Sequence, residues 1–397
     1  MQLKLFLILS ISFSLYAQNL SEILESLQSG KKVNSLKEQS FLELSKSELI
    51  STYEAPEIEL GIAHVDVKDG SDKGSEYSIG VSQNISYPFS SSSKSTAIRM
   101  SQKAIKQSLK HKIHLLNLDV SSKYHSVCVS KEIKNSAQIL YTQQSKRLMK
   151  IKRAYELGEI SKKEFLFYKL DLAKLNQSVS SYKRKYLTEL ASLQENVEAL
   201  YIDDVTCDDM KTPTRGFALK EIGEHTKMKK IGFELGASNA MYNTYDSVFQ
   251  SIGYSLAYEN ELDAKKYGFS ISMPLSFLTS KKEKERSQYL HEISSLNSQE
   301  DALMSELKLG SESLNLKLKT LYDELMMLEN EILPLNLELY QLSISAQESG
   351  EGSMMESIDA ARSHKENLLE MLEIKRSYYY EYFELHKIAD LESEEIL

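Results

Sequence analysis

Apolar and polar residues follow two periods along this chain. In Tyr77-Ser-Ile-Gly-Val-Ser-Gln-Asn-Ile-Ser-Tyr87, Tyr77, Ile79, Val81, Ile85 and Tyr87 share one face, and Ser78, Gly80, Ser82, Asn84 and Ser86 share the other. That is the period of a β-strand. A half-buried strand of a water-soluble sheet usually carries long polar side chains on its outer face, whereas a second face of Ser, Gly and Asn suits a barrel lumen. Residues 58–63, 252–258 and 267–273 alternate in the same way. The pattern predicts two hairpins, the first with a polar, Gly-rich outer loop over 68–75.

Pro88 ends the second strand, and from about Ser91 to Ala154 there is neither Pro nor Gly. Such a stretch can form one helix of roughly 95 Å. Its apolar residues Ile105, Leu109, Ile113, Leu116, Val120, Tyr124 and Val127 follow an eleven-residue repeat, which leaves helices nearly straight and able to stand side by side around a tube. A returning helix is predicted from about Ser161 to Leu200, with heptad spacing at Tyr186, Leu190, Leu193, Val197 and Leu200. Residues 20–53 read as one helical segment, stopped by Glu54-Ala-Pro56. A later long helix carries Leu314, Leu318, Leu321, Leu325, Leu328, Ile332, Leu335, Leu339 and Leu342 as an unbroken 4-3 seam. Pro334 lies inside it and is expected to bend it locally. Residues 230–237 fit a strand or a closely packing helix.

The second half of the chain repeats the first. Ala154-Tyr-Glu-Leu-Gly-Glu-Ile-Ser161 corresponds to Ala346-Gln-Glu-Ser-Gly-Glu-Gly-Ser353, and the same offset of 192 places Leu60-Gly61 on Ile252-Gly253. The offset favours helix for 230–237. The implied organisation is a first repeat over 18–200, an acidic linker over 201–216, a second repeat over 217–390 and a tail over 391–397. Four strands in one chain cannot close a barrel, and unpaired edges are not tolerated in lipid, so the pattern calls for several copies.

The N-terminus, with Lys4, an apolar run from Leu5 to Leu15 and Ala17, reads as a secretory signal peptide over 1–17. The mature chain has no apolar run long enough for a transmembrane helix, so entry into a membrane would have to be as a barrel. The formal net charge of −9, without a basic cluster, argues against nucleic acid as a partner. No phosphate loop, zinc spacing or nucleophile elbow occurs, so neither an enzyme nor a cofactor or metal site is expected. His111 and His114 share a helix face, read as a solvated one. The spacing of Cys128 and Cys207 does not settle whether they pair: a disulfide is open to them, and two separate thiols are the default reading.

A strand, a proline, a very long helix, Tyr155-Glu-Leu-Gly-Glu-Ile-Ser161 and a helix running back, all repeated, resemble the TolC-like outer-membrane efflux proteins. The resemblance implies a mainly α fold with a transmembrane β-barrel: a homotrimer with a twelve-stranded barrel, four strands per chain, continued by a helical tunnel into the periplasm. It further implies an exit duct working with an inner-membrane pump and a periplasmic adaptor that docks on the glycine tips. The matching tip residues are Leu157, Gly158, Glu159 and Ser161, and Gly350, Glu351 and Ser353. In that family an acidic ring narrows the tunnel six and nine positions after the second glycine. These positions are Glu356 and Asp359 here, with Glu164 the first-half equivalent. The Arg by which some relatives tie the gate shut is Gly352. Residues 254–263, before Ser-Met-Pro-Leu, look like the cation-efflux branch. The alternative is a soluble periplasmic coiled-coil adaptor.

Overall fold

Helix and strand form where the two periods put them, with shifted ends. The structure is a computed structural model describing residues 17–49, 55–66, 73–86, 88–197, 200–218, 222–246, 251–275 and 280–391. All of the predicted signal peptide but Ala17, and all of the tail but Leu391, lie outside them. The elements are α1 (Leu20–Gln28), α2 (Lys31–Leu49), β1 (Glu57–Asp66), β2 (Lys73–Ser86), α3 (Pro88–Glu156), α4 (Lys162–Gln194), α5 (Thr226–Asp246), β3 (Ser251–Asn260), β4 (Lys265–Ser272), α6 (Lys281–Met327), a π turn (Leu328–Ile332), α7 (Leu333–Ser349) and α8 (Met354–Ala389). Shifted by 192 residues, α2, β1, α3 and α4 land on α5, β3, α6 to α7, and α8.

Three expectations change in detail. Of the expected helical segment 20–53, residues 20–49 form two helices, because the chain turns at Ser29-Gly30, where Gly30 N–H donates to the Leu27 carbonyl at 3.0 Å, and 50–53 lie outside the described residues. The returning helix stops at Gln194, whose side chain donates to the Leu200 carbonyl and accepts from Ile202 N–H, both at 2.6 Å. β2 begins at Lys73, opposite Asp66, so residues 73–75 of the expected loop 68–75 belong to a strand, and 68–72 lie outside the described residues. Residues 230–237 lie within α5, and a Cβ at Gly236 would sit 3.5 Å from Met100 Cγ, the close packing that a helix there implied.

The chain folds as two units, one of residues 36–111 and 221–306, the other of the remaining segments. In the first, the sheet order is β1-β2-β3-β4, antiparallel throughout. Its register aligns Ile58, Val81, Leu256 and Phe269 across one face, and Glu57, Ser82, Ser255 and Ser270 across the other. Gly61 faces Ser78 and Gly253 faces Ser272, and a Cβ at either glycine would overlap the serine Oγ. The repeat therefore preserves a steric pair as well as a sequence.

In the second unit, α1, α3 and α4 bury Leu20, Ile23, Val120, Tyr124, Tyr186 and Leu193 in one cluster. The acidic linker, residues 201–216, forms a strap bonded along these helices. Gln18 N–H donates to the Asp204 carbonyl at 3.2 Å, Lys131 Nζ pairs with Asp204 at 2.8 Å, and Tyr378 OH donates to the Thr214 carbonyl at 2.9 Å. Cys128 and Cys207 form a disulfide with Cα atoms 5.7 Å apart, correcting the reading of two thiols. The spacing could not show it, since α3 and the strap meet only once folded. Closing a loop of this separation contributes about 4 to 5 kcal/mol in the chain-entropy account. His114 is likewise not on a solvated face but lies 3.9 Å from Asp390.

His125 sits beneath the strap, fully buried. Its Nδ1–H donates to the Ser121 carbonyl at 2.8 Å and its Nε2 accepts from Lys211 N–H at 3.1 Å, so the neutral ring is bonded at both nitrogens. Burial lowers its pKa from 6.5 to about 4, and does the same to His386. Because the folded value lies below the unfolded one, this stability is present above pH 6.5 and is lost as pH falls toward 4. It amounts to about 3 kcal/mol per histidine at most. The thermal midpoint of the full chain, followed by circular dichroism, should therefore fall between pH 7 and pH 5. His125→Gln should flatten that slope, and an unchanged slope would show that His125 does not carry it.

Candidate functional site

Each tip is built from two consecutive local devices. At the end of α3, Gly158 adopts φ 79°, Glu159 N–H donates to the Ala154 carbonyl at 2.9 Å, and Gly158 N–H donates to the Tyr155 carbonyl at 3.1 Å. At the end of α7, Gly350 adopts φ 80°, with Glu351 N–H on Ala346 and Gly350 N–H on Gln347. This double bond through a left-handed glycine is the Schellman motif, which satisfies the last carbonyls of a helix. Three residues later the chain restarts. Ser161 and Ser353 accept from the N–H groups of Glu164 and Glu356 at 3.2 and 3.1 Å, and the two carboxylates accept from the serine N–H groups at 2.7 and 3.0 Å. Both are capping boxes.

The residues singled out from the sequence thus fall into three groups. Gly158, Gly350, Glu159 and Glu351 close helices, Ser161 and Ser353 open them, and Leu157 projects with 65% of its surface exposed. Glu164 and Glu356 hold caps. Backbone hydrogen bonding at Ser161 keeps the Glu164 carboxyl below the usual carboxylate range. Asp359 is not tied to a cap but pairs with Arg362, whose Nη1 lies 3.2 Å away, while Arg362 Nε lies 3.7 Å from Asp171 on α4. Gly352 has its own reason, because a Cβ there would come within 2.9 Å of Ala346 Cβ.

Below the tips, Ile151, Tyr168, Met354 and Ile358 form a small buried cluster. Met354 is therefore a packing residue. Arg147 Nη2 donates to Gln347 at 2.9 Å, and Tyr168 OH donates to the Gln144 carbonyl at 2.6 Å. These partners went unread in the sequence. Arg362 stands i+3 from Asp359, a visible signal, whereas Arg147 and Tyr168 find their partners only through the tertiary fold.

The sheet offers the other functional surface. Along its apolar face Leu60, Ile62, Leu256, Tyr267 and Phe269 are 63–85% exposed, and none of the described residues covers them. The opposite face is mostly Gly, Ser and Ala, joined by Asn84 and Val65, with Glu57 and Glu59 near one end and Glu76, Glu259 and Lys266 near the other. The outer edges of β1 and β4 have no partner strand among the described residues.

No protein-family model matches the sequence, and no curated protein matches it. Among solved structures, the chain is similar to the outer membrane protein VceC of Vibrio cholerae (TM-score 0.74, 10% identity, 93% of this chain and 95% of that one). It is similar also to the open state of the MtrE outer membrane channel of Neisseria gonorrhoeae (0.74, 13%, 93% and 88%). A membrane protein from Pseudomonas aeruginosa gives a TM-score of 0.77 at 12% identity, over 93% and 90% of the two chains. The fold is thus the TolC-like one of outer-membrane channels, with long α-helical hairpins and a four-stranded antiparallel sheet.

The caps make a testable claim about the tips. Ser353→Ala should cost about 1 kcal/mol through loss of the N-cap, and Ser353→Asp should restore most of it. Hydrogen exchange of the first turn of α8 reads this locally, and equal protection in all three proteins would remove the cap from the account.

Proposed function

We propose that this protein is the outer-membrane exit duct of a tripartite efflux system, assembled from three copies. The observation that carries the reading is the sheet: an exposed apolar face, a small polar face and two unpaired edges make a third of a twelve-stranded membrane barrel. The long helices then extend into the periplasm. In this reading the tips receive a periplasmic adaptor through Leu157, Gly158, Glu159 and Ser161 and through Gly350, Glu351 and Ser353, and an inner-membrane pump delivers the cargo. The soluble adaptor alternative leaves the exposed apolar face without an environment.

The barrel reading is tested by facing. Ile271→Arg, on the apolar face, should cost about 2–4 kcal/mol at a midplane lipid site, whereas Ser270→Arg should be tolerated. Recovery of trimers from the outer membrane measures both. Equal recovery of the two variants would mean that the faces are assigned wrongly.

Within the same reading, Glu356 and Asp359 from three subunits narrow the periplasmic entrance, with Glu164 a secondary candidate. Converging carboxylates favour cations. Glu356→Gln with Asp359→Asn should lower the cation preference of the open pore in planar bilayers and weaken block by trivalent metal. A double variant that keeps both properties would place the constriction elsewhere.

A further inference from the structure

The only two cysteines of the chain are joined where a reagent in solution has little access once the helices have packed. Cys128 is 2% exposed and belongs to the cluster of Leu20, Ile23, Tyr124, Val127, Tyr186 and Leu193. Cys207, on the strap, is partly buried against the same cluster. The strap is fastened on both sides of it. Before it, Thr206 N–H donates to the Gln18 carbonyl at 2.9 Å, and Tyr124 OH donates to the Thr206 carbonyl. After it, Asp209 accepts from Ser21 N–H at 3.3 Å, and Lys211 N–H donates to His125 Nε2 at 3.1 Å. The start of α1, the middle of α3 and the strap therefore close together around the two sulfurs.

The two cysteines differ in the charge beside them. No acid or base stands between His125 and Lys131, whereas Cys207 lies among Asp203, Asp204, Asp208 and Asp209. Lys131 pairs with Asp204, but Asp203 and Asp208 are exposed, so the strap presents negative charge to anything that approaches Cys207. A thiolate nucleophile is itself anionic and is repelled there. An attack on Cys207 in the folded chain would also expel the Cys128 thiolate into the apolar cluster, where an unpaired charge is costly. Packing thus closes exchange in both directions: it keeps a reductant from the bond and would keep an oxidant from the thiols.

We infer that the chain is a substrate of a periplasmic thiol oxidase bearing a reactive Cys-x-x-Cys disulfide, which installs the Cys128–Cys207 bond before α1 and the strap close. The chemistry is two exchanges. The Cys128 thiolate attacks the oxidase disulfide, forming a mixed disulfide and releasing one oxidase thiolate. The Cys207 thiolate then attacks Cys128 Sγ, forming the native bond and releasing the second. Two thiol protons pass to solvent and two electrons to the oxidase, whose disulfide becomes a dithiol. Cys128 goes first because it precedes Cys207 by 79 residues, so a chain delivered N-terminus first presents it alone, and because it lacks the acidic flank. With two cysteines only one pairing exists, so no isomerisation follows. The inference rests on the periplasmic placement of the helical unit in the duct reading, an oxidising compartment, and is independent of the tips and of the number of copies.

Order of addition tests it, with the reduced full chain refolded from denaturant into detergent and a purified, oxidised Cys-x-x-Cys oxidase as the probe. Oxidase present from the first moment should close the bond, read by loss of thiol alkylation, whereas oxidase added after folding should act about a hundredfold more slowly. Equal rates in the two orders would overturn installation before closure, and equally fast closure by dissolved oxygen alone would overturn the oxidase. In the unfolded chain Cys207→Ala, which keeps Cys128, should form the mixed disulfide about threefold faster than Cys128→Ala. A ratio of one or below overturns the order of the two exchanges. The folded, oxidised protein should keep its bond in a dithiol reductant until denaturant is added, and ready reduction without denaturant would show that the strap does not shield it. Light scattering of the oxidised product reads the number of copies separately, so a failure of the duct reading is distinguished from a failure of this one.

Discussion

Unsatisfied backbone groups at the two edges of the sheet govern this molecule. A β-sheet can stand in hydrocarbon only when every N–H and C=O is paired, because each orphan costs several kcal/mol. Among the described residues β1 and β4 each keep one side open, and in the proposed duct those edges are completed by further copies of the chain. The exposed apolar face follows from the same constraint. In the proposed barrel it is the surface for lipid, and the large leucines and tyrosines that would count as a folding fault in a water-soluble sheet are in place.

The helical unit meets a different demand. Long side-by-side helices have no globular core, and their clusters are thin seams. Around the middle of the second unit the strap compensates, tied by a disulfide, by the neutral imidazole of His125 and by tyrosine hydroxyls. Covalent and polar fastening together replace the depth of apolar packing that a compact domain would have.

Much of this was legible in the sequence, because barrel strands and long helices are dictated by local period. The strands from Ile58, Tyr77, Ile252 and Tyr267, the helix beginning at Pro88 and the reversals at Gly158 and Gly350 are all local events. What escaped the sequence depends on partners distant along the chain: the Cys128–Cys207 bond, the Asp171–Arg362 pair and the bonding of the strap. The π turn is an intermediate case. Pro334 announced a disturbance, but period alone could not say that the chain would absorb it in a π turn at Leu328–Ile332. At the tips the residue types were legible and their local work was not, since Glu164 and Glu356 are used first to restart helices.

In the proposed duct the tip glutamates would serve both as helix caps and as the acidic entrance, and that limits how the protein can diversify. A lineage adapting its entrance to a different cargo cannot freely exchange Glu164 or Glu356, because each change would also loosen the restart of a helix. Asp359, held by a side chain rather than by the backbone, is open to exchange without that penalty. Variation among descendants should therefore gather one turn inside the tip while the tip itself stays constant, with foldability rather than transport acting as the conservative force.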